Sequence, residues 1–250
     1  MVIIIKSERE IAVMRRAGRI LGTVLVELKL KLKAGMKTAE LDTMAEGMLR
    51  KMGAEPSFKG YRGFPASVCV SVNEEIVHGI PGERILNEGD IVSLDLGDIV
   101  EGFQADAALT AGVGQISAEA ASLIAATEGA LVMGIAAARP GNRLGDIGFA
   151  VQNYAESRGF SVVREYAGHG IGQAMHEDPS VPNYGRPGSG AILRKGMTLA
   201  LEPMLNAGTW RTKVGPDAWT VSTADGKLSV HFEHTIAIAD GEAEVLTLGR

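Results

Sequence analysis

Residues 91–113, IVSLDLGDIVEGFQADAALTAGV, decide the fold. Val92, Leu94 and Leu96 alternate with Ser93, Asp95 and Gly97, the period of a strand with one apolar face. The pattern resumes after a polar break, so the stretch predicts a β-hairpin. A turn centred near Val100-Glu101 would set Asp95 directly opposite Asp106. Opposite residues of an antiparallel pair share a face, so the two carboxylates would point to one place. Their mutual repulsion predicts a cation between them.

Helical patterns lie on both sides. Upstream, Ser7 and Glu10 form a capping box before an amphipathic run. Ile11, Met14, Gly18, Leu21, Leu25 and Leu28 then mark one face of a long helix. After Gly35, Thr38 opens a second helix, with Leu41, Met44, Met48 and Met52 on its buried side and Gly53 as its stop. Downstream, helices are expected over about Ser117 to Ala138 and Asp146 to Arg158, parted by Pro140-Gly141. Strand-like segments return at Ser161 to Tyr166, Met197 to Leu205, Trp219 to Thr223 and Leu228 to Ile238, with Asp225-Gly226 as a hairpin turn between the last pair. The order is helix, helix, hairpin, twice over. It predicts one α+β domain over residues 1–250, built of two similar halves, with an antiparallel sheet covered by helices.

Composition narrows the function. The chain has 250 residues, a net charge of -5 and 46% hydrophobic residues, enough for one sizeable core. Mild acidity argues against a nucleic-acid partner, which needs clustered Lys and Arg. The one basic run, Lys29 to Lys33, falls at the end of the first helix, where positive charge suits the helix dipole. Cys69 is the single cysteine, which excludes an intrachain disulfide and predicts a cytoplasmic protein. The opening MVIIIKSERE is too short in apolar residues for a signal peptide or membrane span, and no later run is expected to be long enough.

Polar residues inside apolar strands carry the chemistry. Asp95 lies in IVSLDLG, Asp106 in FQADAAL, Glu202 in TLALEPM and Glu233 in HFEHTIAI. A carboxylate is rarely buried without a partner, because losing its hydration is expensive. Read alone, Glu233 fits a solvated polar face shared with Ser229, His231 and Thr235 equally well. Four such residues in separate strands call for a common counter-charge, and a metal centre supplies one. His169, in AGHGIGQAMHEDP, would add an imidazole. The glycines at 168, 170 and 172 do not make a GxGxxG motif; they allow close backbone approach instead. No HExxH pair is present. Four carboxylates and one imidazole exceed the needs of a mononuclear zinc site and favour two ions. Oxygen-rich ligation suits Mn or Fe(II), with Zn and Co also compatible.

With these residues in place, the chain resembles the type I methionine aminopeptidases. The resemblance runs from about Ser7 to the C-terminus and is carried by SVCVSVNEEIVHGIP (67–81), GDIVSLDLG (89–97), GHGIG with HEDP (168–179), TLALEPML (198–205) and WTVSTADGKLSVHFEHT (219–235). It implies the pseudo-twofold pita-bread fold. It implies Asp95, Asp106, His169, Glu202 and Glu233 as ligands of two divalent ions, with Asp106 and Glu233 bridging. Glu202 would also act as base, and His176 would stabilise the oxyanion. His78 would bind the substrate backbone. Phe58, Tyr61, Phe64, Cys69, His78, Met175 and Trp219 would wall the pocket for the methionine side chain. The expected substrates are nascent polypeptide N-termini with a small second residue, met by a monomer in transient contact with the ribosome. Gln104-Ala105 stand where the family often has His-Gly. The insertion of type II enzymes between His176 and Glu202, and the zinc-finger extension of some eukaryotic type I enzymes, are both absent. Two rivals remain: an X-Pro dipeptidase or aminopeptidase P, which would carry a further N-terminal domain, and a metal-free binding protein of the same fold.

Overall fold

Capping, periodicity and turn chemistry together set the elements of the computed structural model, which describes residues 2–249. Helix α1 spans Glu8–Lys31. Its capping box is formed: the Glu10 N–H donates to Ser7 Oγ at 3.4 Å, and the Ser7 N–H donates to Glu10 at 2.7 Å. Ile11, Met14, Gly18, Leu21, Leu25 and Leu28 are all buried, as expected. Helix α2 spans Thr38–Lys51, but its buried row is Leu41, Ala45 and Leu49. Met44 and Met48 only flank that row and Met52 is exposed, which corrects the expected methionine stripe. The small Ala45 permits the close seat that a methionine row would not.

Helices α3 (Ala118–Ala137) and α4 (Leu144–Glu156) follow. Helix α3 is long and apolar enough to cross a membrane by length and composition, contrary to the expectation that no run is. Its buried face, with Leu123, Ala126, Ala130 and Leu131, packs against α4 and the sheet, the seating of a core helix.

The main sheet has nine strands: β1 (Glu55–Pro56), β2 (Val68–Val72), β3 (Ile91–Val100), β4 (Phe103–Gly112), β5 (Gly168–Gly170), β6 (Glu177–Val181), β7 (Thr198–Leu201), β8 (Glu233–Ala237) and β9 (Glu244–Val245). They run in the order β1-β3-β4-β8-β7-β5-β6, with β2 on β3 and β9 on β8, and every pairing is antiparallel. The β4–β8 pair joins a first half under α1 and α2 to a second half under α3 and α4. This is the helix-covered antiparallel α+β architecture expected. Val68, Val70 and Val72 of β2 and Val92, Leu94 and Leu96 of β3 meet α1 and α2 in one core. The other face of the same strands is left for polar residues.

The second half is less regular than expected. Asp225-Gly226 does turn the chain, but its flanking strands do not pair with each other. Val221–Thr223 joins Thr212–Val214 and Glu75–Val77, whereas Ser229–His231 joins Met204–Asn206. The Asp225 carboxylate accepts from the backbone N–H of Thr209 and of Lys227, at 2.8 and 3.2 Å, tying the turn to a third segment. The expected strand Met197 to Leu205 is broken after Leu201, where Pro203 has no N–H to offer a ladder. Ser161 to Tyr166 shrinks to Ser161–Val162.

Candidate active site

The β3–β4 turn is Glu101-Gly102, one residue later than expected, and both residues have positive φ, 50° and 80°. That is the two-residue hairpin geometry whose twist matches the strands. It places Asp106 opposite Gly97 and Asp95 opposite Ala108. Asp95 and Asp106 are therefore diagonal neighbours on one face, not directly opposed, and still converge.

Pairing across the sheet extends this face. Cys69, Asp95, Ala108 and Glu233 stand in one row over four strands. The methyl group of Ala108 leaves space between the flanking carboxyls. Thr235 locks the neighbouring register, accepting from the Asp106 N–H at 2.9 Å and donating to the Asp106 carbonyl at 2.8 Å. His169 arrives on β5, where a Cβ on Gly168 or Gly170 would lie within 2.3 Å of a neighbouring carbonyl oxygen. These glycines allow the close backbone approach expected of them. Glu202 follows β7, its carbonyl accepting from Asn183 Nδ2 at 2.9 Å. All five expected ligands line one cavity of about 140 Å³. That volume suits one side chain rather than a drug-sized molecule.

The electrostatics of this cluster are unfavourable as they stand. Burial pushes Asp95 up to about 7, with Asp106 pulling it partly back. Burial raises Asp106, Glu202 and Glu233 well above the carboxylate range, and neighbouring carboxylates, Asp95 beside all three, raise them further. Asp95 Oδ1, Asp106 Oδ1 and Glu233 Oε1 are buried with no hydrogen-bond partner among the described residues. His169 Nδ1 donates to the Gly170 carbonyl at 2.8 Å, which leaves the lone pair on Nε2. That nitrogen lies 3.9 Å from both Asp106 Oδ2 and Glu202 Oε1. Burial lowers His169 to about 4, so its imidazole is neutral near pH 7. Neutral imidazole and orphaned carboxylate oxygens form a donor set for a cation.

Beside the cluster lies an apolar wall. Phe58, Tyr61, Phe64, Cys69, Met175 and Trp219 share one packed cluster and line the cavity. Phe64 meets Trp219 edge-on at 5.2 Å. A Cβ on Gly97 would lie 2.3 Å from Ser57 Oγ, 2.7 Å from Phe58 and 2.9 Å from Met175, so glycine there keeps the wall in place. Two further histidines line the cavity. His78, at φ 60°, packs edge-on against Tyr166 and Trp219, and burial lowers it to about 4. His176 stands with its ring centroid 4.2 Å from that of His169. Burial raises the Cys69 thiol well above its usual range, and the carboxylates of Asp95, Asp106 and Glu233 add to the shift. It is a neutral wall residue rather than a nucleophile.

His231 has no expected role, yet it belongs here. It is fully buried, neither ring nitrogen has a partner, and Nε2 lies 3.9 Å from Glu202 and 3.8 Å from Glu233. Burial lowers it to about 3. Its period-two relation to Glu233 was the available signal, but that pattern equally describes a solvated face. Ala105 points away from the donors, whereas Gln104 shares the face of Asp106. Ala105 sits in the helix-side core, and Gln104 bonds the loop at 172–173.

The model of metallopeptidase family M24 matches residues 12–240. The chain is 55% identical to a methionine aminopeptidase of Clostridium perfringens, over 98% of this chain and 99% of that protein. It is 53% identical to methionine aminopeptidase 1 of Bacillus subtilis, with the same coverage. The chain belongs to the methionine aminopeptidases of metallopeptidase family M24. The crystal structure of a methionine aminopeptidase from Thermotoga maritima superposes with a TM-score of 0.97 at 44% identity, covering 98% of this chain and 99% of that one. A prolidase from Pyrococcus furiosus shares the fold, with a TM-score of 0.80 at 21% identity; this chain covers 65% of it. As an M24 metallopeptidase the enzyme uses divalent metal, and its residues fit one. Donor atoms of Asp106, His169 and Glu233 all lie within 4.8 Å of one another, and all three residues are buried.

Proposed function

We propose that this aminopeptidase removes the N-terminal methionine from nascent polypeptides whose second residue is small. The observation that carries the reading is the junction of a buried donor cluster with a one-side-chain apolar pocket. Asp95, Asp106, His169, Glu202 and Glu233 would hold two divalent ions, the donor set that lines one wall of the cavity. Mn, Fe(II), Co and Zn all suit the donor set. Bound there, the ions supply Lewis acidity and lower the pKa of water toward neutrality.

The remaining steps belong to the chain. Glu202 takes a proton from the attacking water and passes it to the leaving amine. His176 donates a hydrogen bond toward the scissile carbonyl oxygen as charge develops on it. His78 binds the substrate backbone just beyond the scissile bond. Phe58, Tyr61, Phe64, Cys69, Met175 and Trp219 receive the thioether side chain, to which aromatic edges and sulfur are well matched. Residues 1–250 act as one catalytic domain, a cytoplasmic monomer that meets its substrates in transient contact with the ribosome.

Cleavage of Met-Ala-Ser, Leu-Ala-Ser and Ala-Pro peptides tests the reading. Release of Met from Met-Ala-Ser should be fast and Leu-Ala-Ser a poor substrate, while an unbranched norleucine in place of Met should lose only about 10–200-fold, the range a methylene-scale change commands. Comparable kcat/KM for the Met and Leu peptides would leave only a general aminopeptidase. Preference for Ala-Pro would transfer the chain to the X-Pro class.

A further inference from the structure

The loop at 171–176 carries His176, and it is held on two sides by residues outside the donor cluster. On one side Lys6 Nζ forms a buried ion pair with Glu177, the residue after His176, and both side chains are at least nine-tenths buried. Glu177 also accepts from the Ala174 N–H at 3.3 Å. The Lys6 N–H donates to the Gly196 carbonyl at 2.8 Å, so the arm before α1 is itself fixed. Gly172 makes room for the pair: a Cβ there would lie 2.5 Å from both Lys6 Cε and Glu177 Oε1. On the other side Gln104 donates its N–H to the Gly172 carbonyl at 2.8 Å and its Nε2 to the Gln173 carbonyl at 3.0 Å.

We propose that Lys6, Glu177 and Gln104 are positioning residues that set His176 against the scissile carbonyl. A buried ion pair is a poor source of net stability, because desolvating two charges offsets most of their attraction. Its value is in fixing geometry, and here the fixed segment ends at His176. The inference rests on the oxyanion role given to His176 above. It also assigns a task to Gln104, which contacts the loop rather than the donors.

The test is a set of double-mutant cycles in the Mn-loaded enzyme with Met-Ala-Ser. Lys6→Met is expected to lower kcat by about 10–100-fold, the penalty of an ångström-scale misplacement. Gln104→Ala, which breaks one half-exposed hydrogen bond, should lower it by about 2–10-fold. KM and bound metal should stay within about twofold of wild type, since neither residue touches substrate or ion. In the His176→Ala background each substitution should lose most of its effect, and in the diamagnetic Zn-loaded enzyme the ring resonances of His176 should move in Lys6→Met while those of His231 hold. Equal losses in both backgrounds, or losses that follow metal content, overturn the inference. If Lys6→Met does not fold, the Gln104→Ala cycle decides alone. Full kcat in His176→Ala by itself instead overturns the role given to His176.

Discussion

The phenol oxygen of Tyr61 lies 2.9 Å from Nδ1 of His176, and the two rings stack at 5.6 Å. A wall residue of the pocket is thus also a hydrogen-bond partner of the residue assigned to the oxyanion. With the phenol proton donated to Nδ1, Nε2 carries the N–H that His176 needs for its role. Tyr61→Phe keeps the ring stacking and removes the bond. The expected result is a fall in kcat of about 2–12-fold, the worth of one hydrogen bond. KM for Met-Ala-Ser and metal content should not change. Steady-state kinetics with metal analysis check this.

Asp106 sits among the carboxylates of Asp95, Glu202 and Glu233. Asp106→Ala is expected to abolish activity and bound metal together, because in the proposed assignment Asp106 would be a ligand common to both ions. The backbone bonds to Thr235 survive the substitution, so the fold should persist. Circular dichroism and metal content of the purified variant check it. Two bound ions with full activity would end the assignment of Asp106 as a shared ligand.

Gly97 stands between the carboxylates and the apolar wall. Gly97→Ala drives a methyl group into Phe58, Met175 and the Ser57 hydroxyl. Phe58 and Met175 must then shift, and the pocket narrows. The expected loss is in kcat/KM for methionine, by about 10–100-fold, with a smaller loss for a peptide beginning with norvaline, whose side chain is shorter. A uniform loss over both substrates would show that Gly97 serves the carboxylates instead.

Asp98 is fully buried on the helix-side face of β3, between Pro56 and Ala105, and neither of its oxygens has a partner. Burial raises it well above its usual range. Above the unfolded pKa the unfolded chain releases this proton while the folded chain keeps it. Stability is therefore fully present below about pH 3.9 and falls as pH rises toward the folded value. Asp98→Val, of similar size and suited to a strand, removes that loss. It should stabilise the protein at pH 7 by roughly 1–3 kcal/mol, with the gain smaller near pH 3, where only the cost of the unpartnered neutral acid remains. Denaturant melts at the two pH values measure the difference, and a gain independent of pH would point to packing alone.

Local patterns carried much of this molecule. The capping box at Ser7, the apolar face of α1, the hairpin at 91–113, the two later helices and the α+β class all follow from short-range chemistry readable in the residues themselves. The charged residues in apolar strands were legible for the same reason: burial of a carboxylate is costly wherever it occurs. Register was decided elsewhere. Positive φ at both Glu101 and Gly102 moved the turn by one residue and made Asp95 and Asp106 diagonal neighbours. Strand partners separated by long stretches were also beyond local patterns: β8 pairs with β4 and β7, not with the segment just before Asp225-Gly226. The places of Ala108, Thr235, His231 and the Lys6–Glu177 pair depend on such long-range contacts. Periodicity reports which way a side chain faces, whereas the identity of what it faces is fixed only when distant strands and loops pack together.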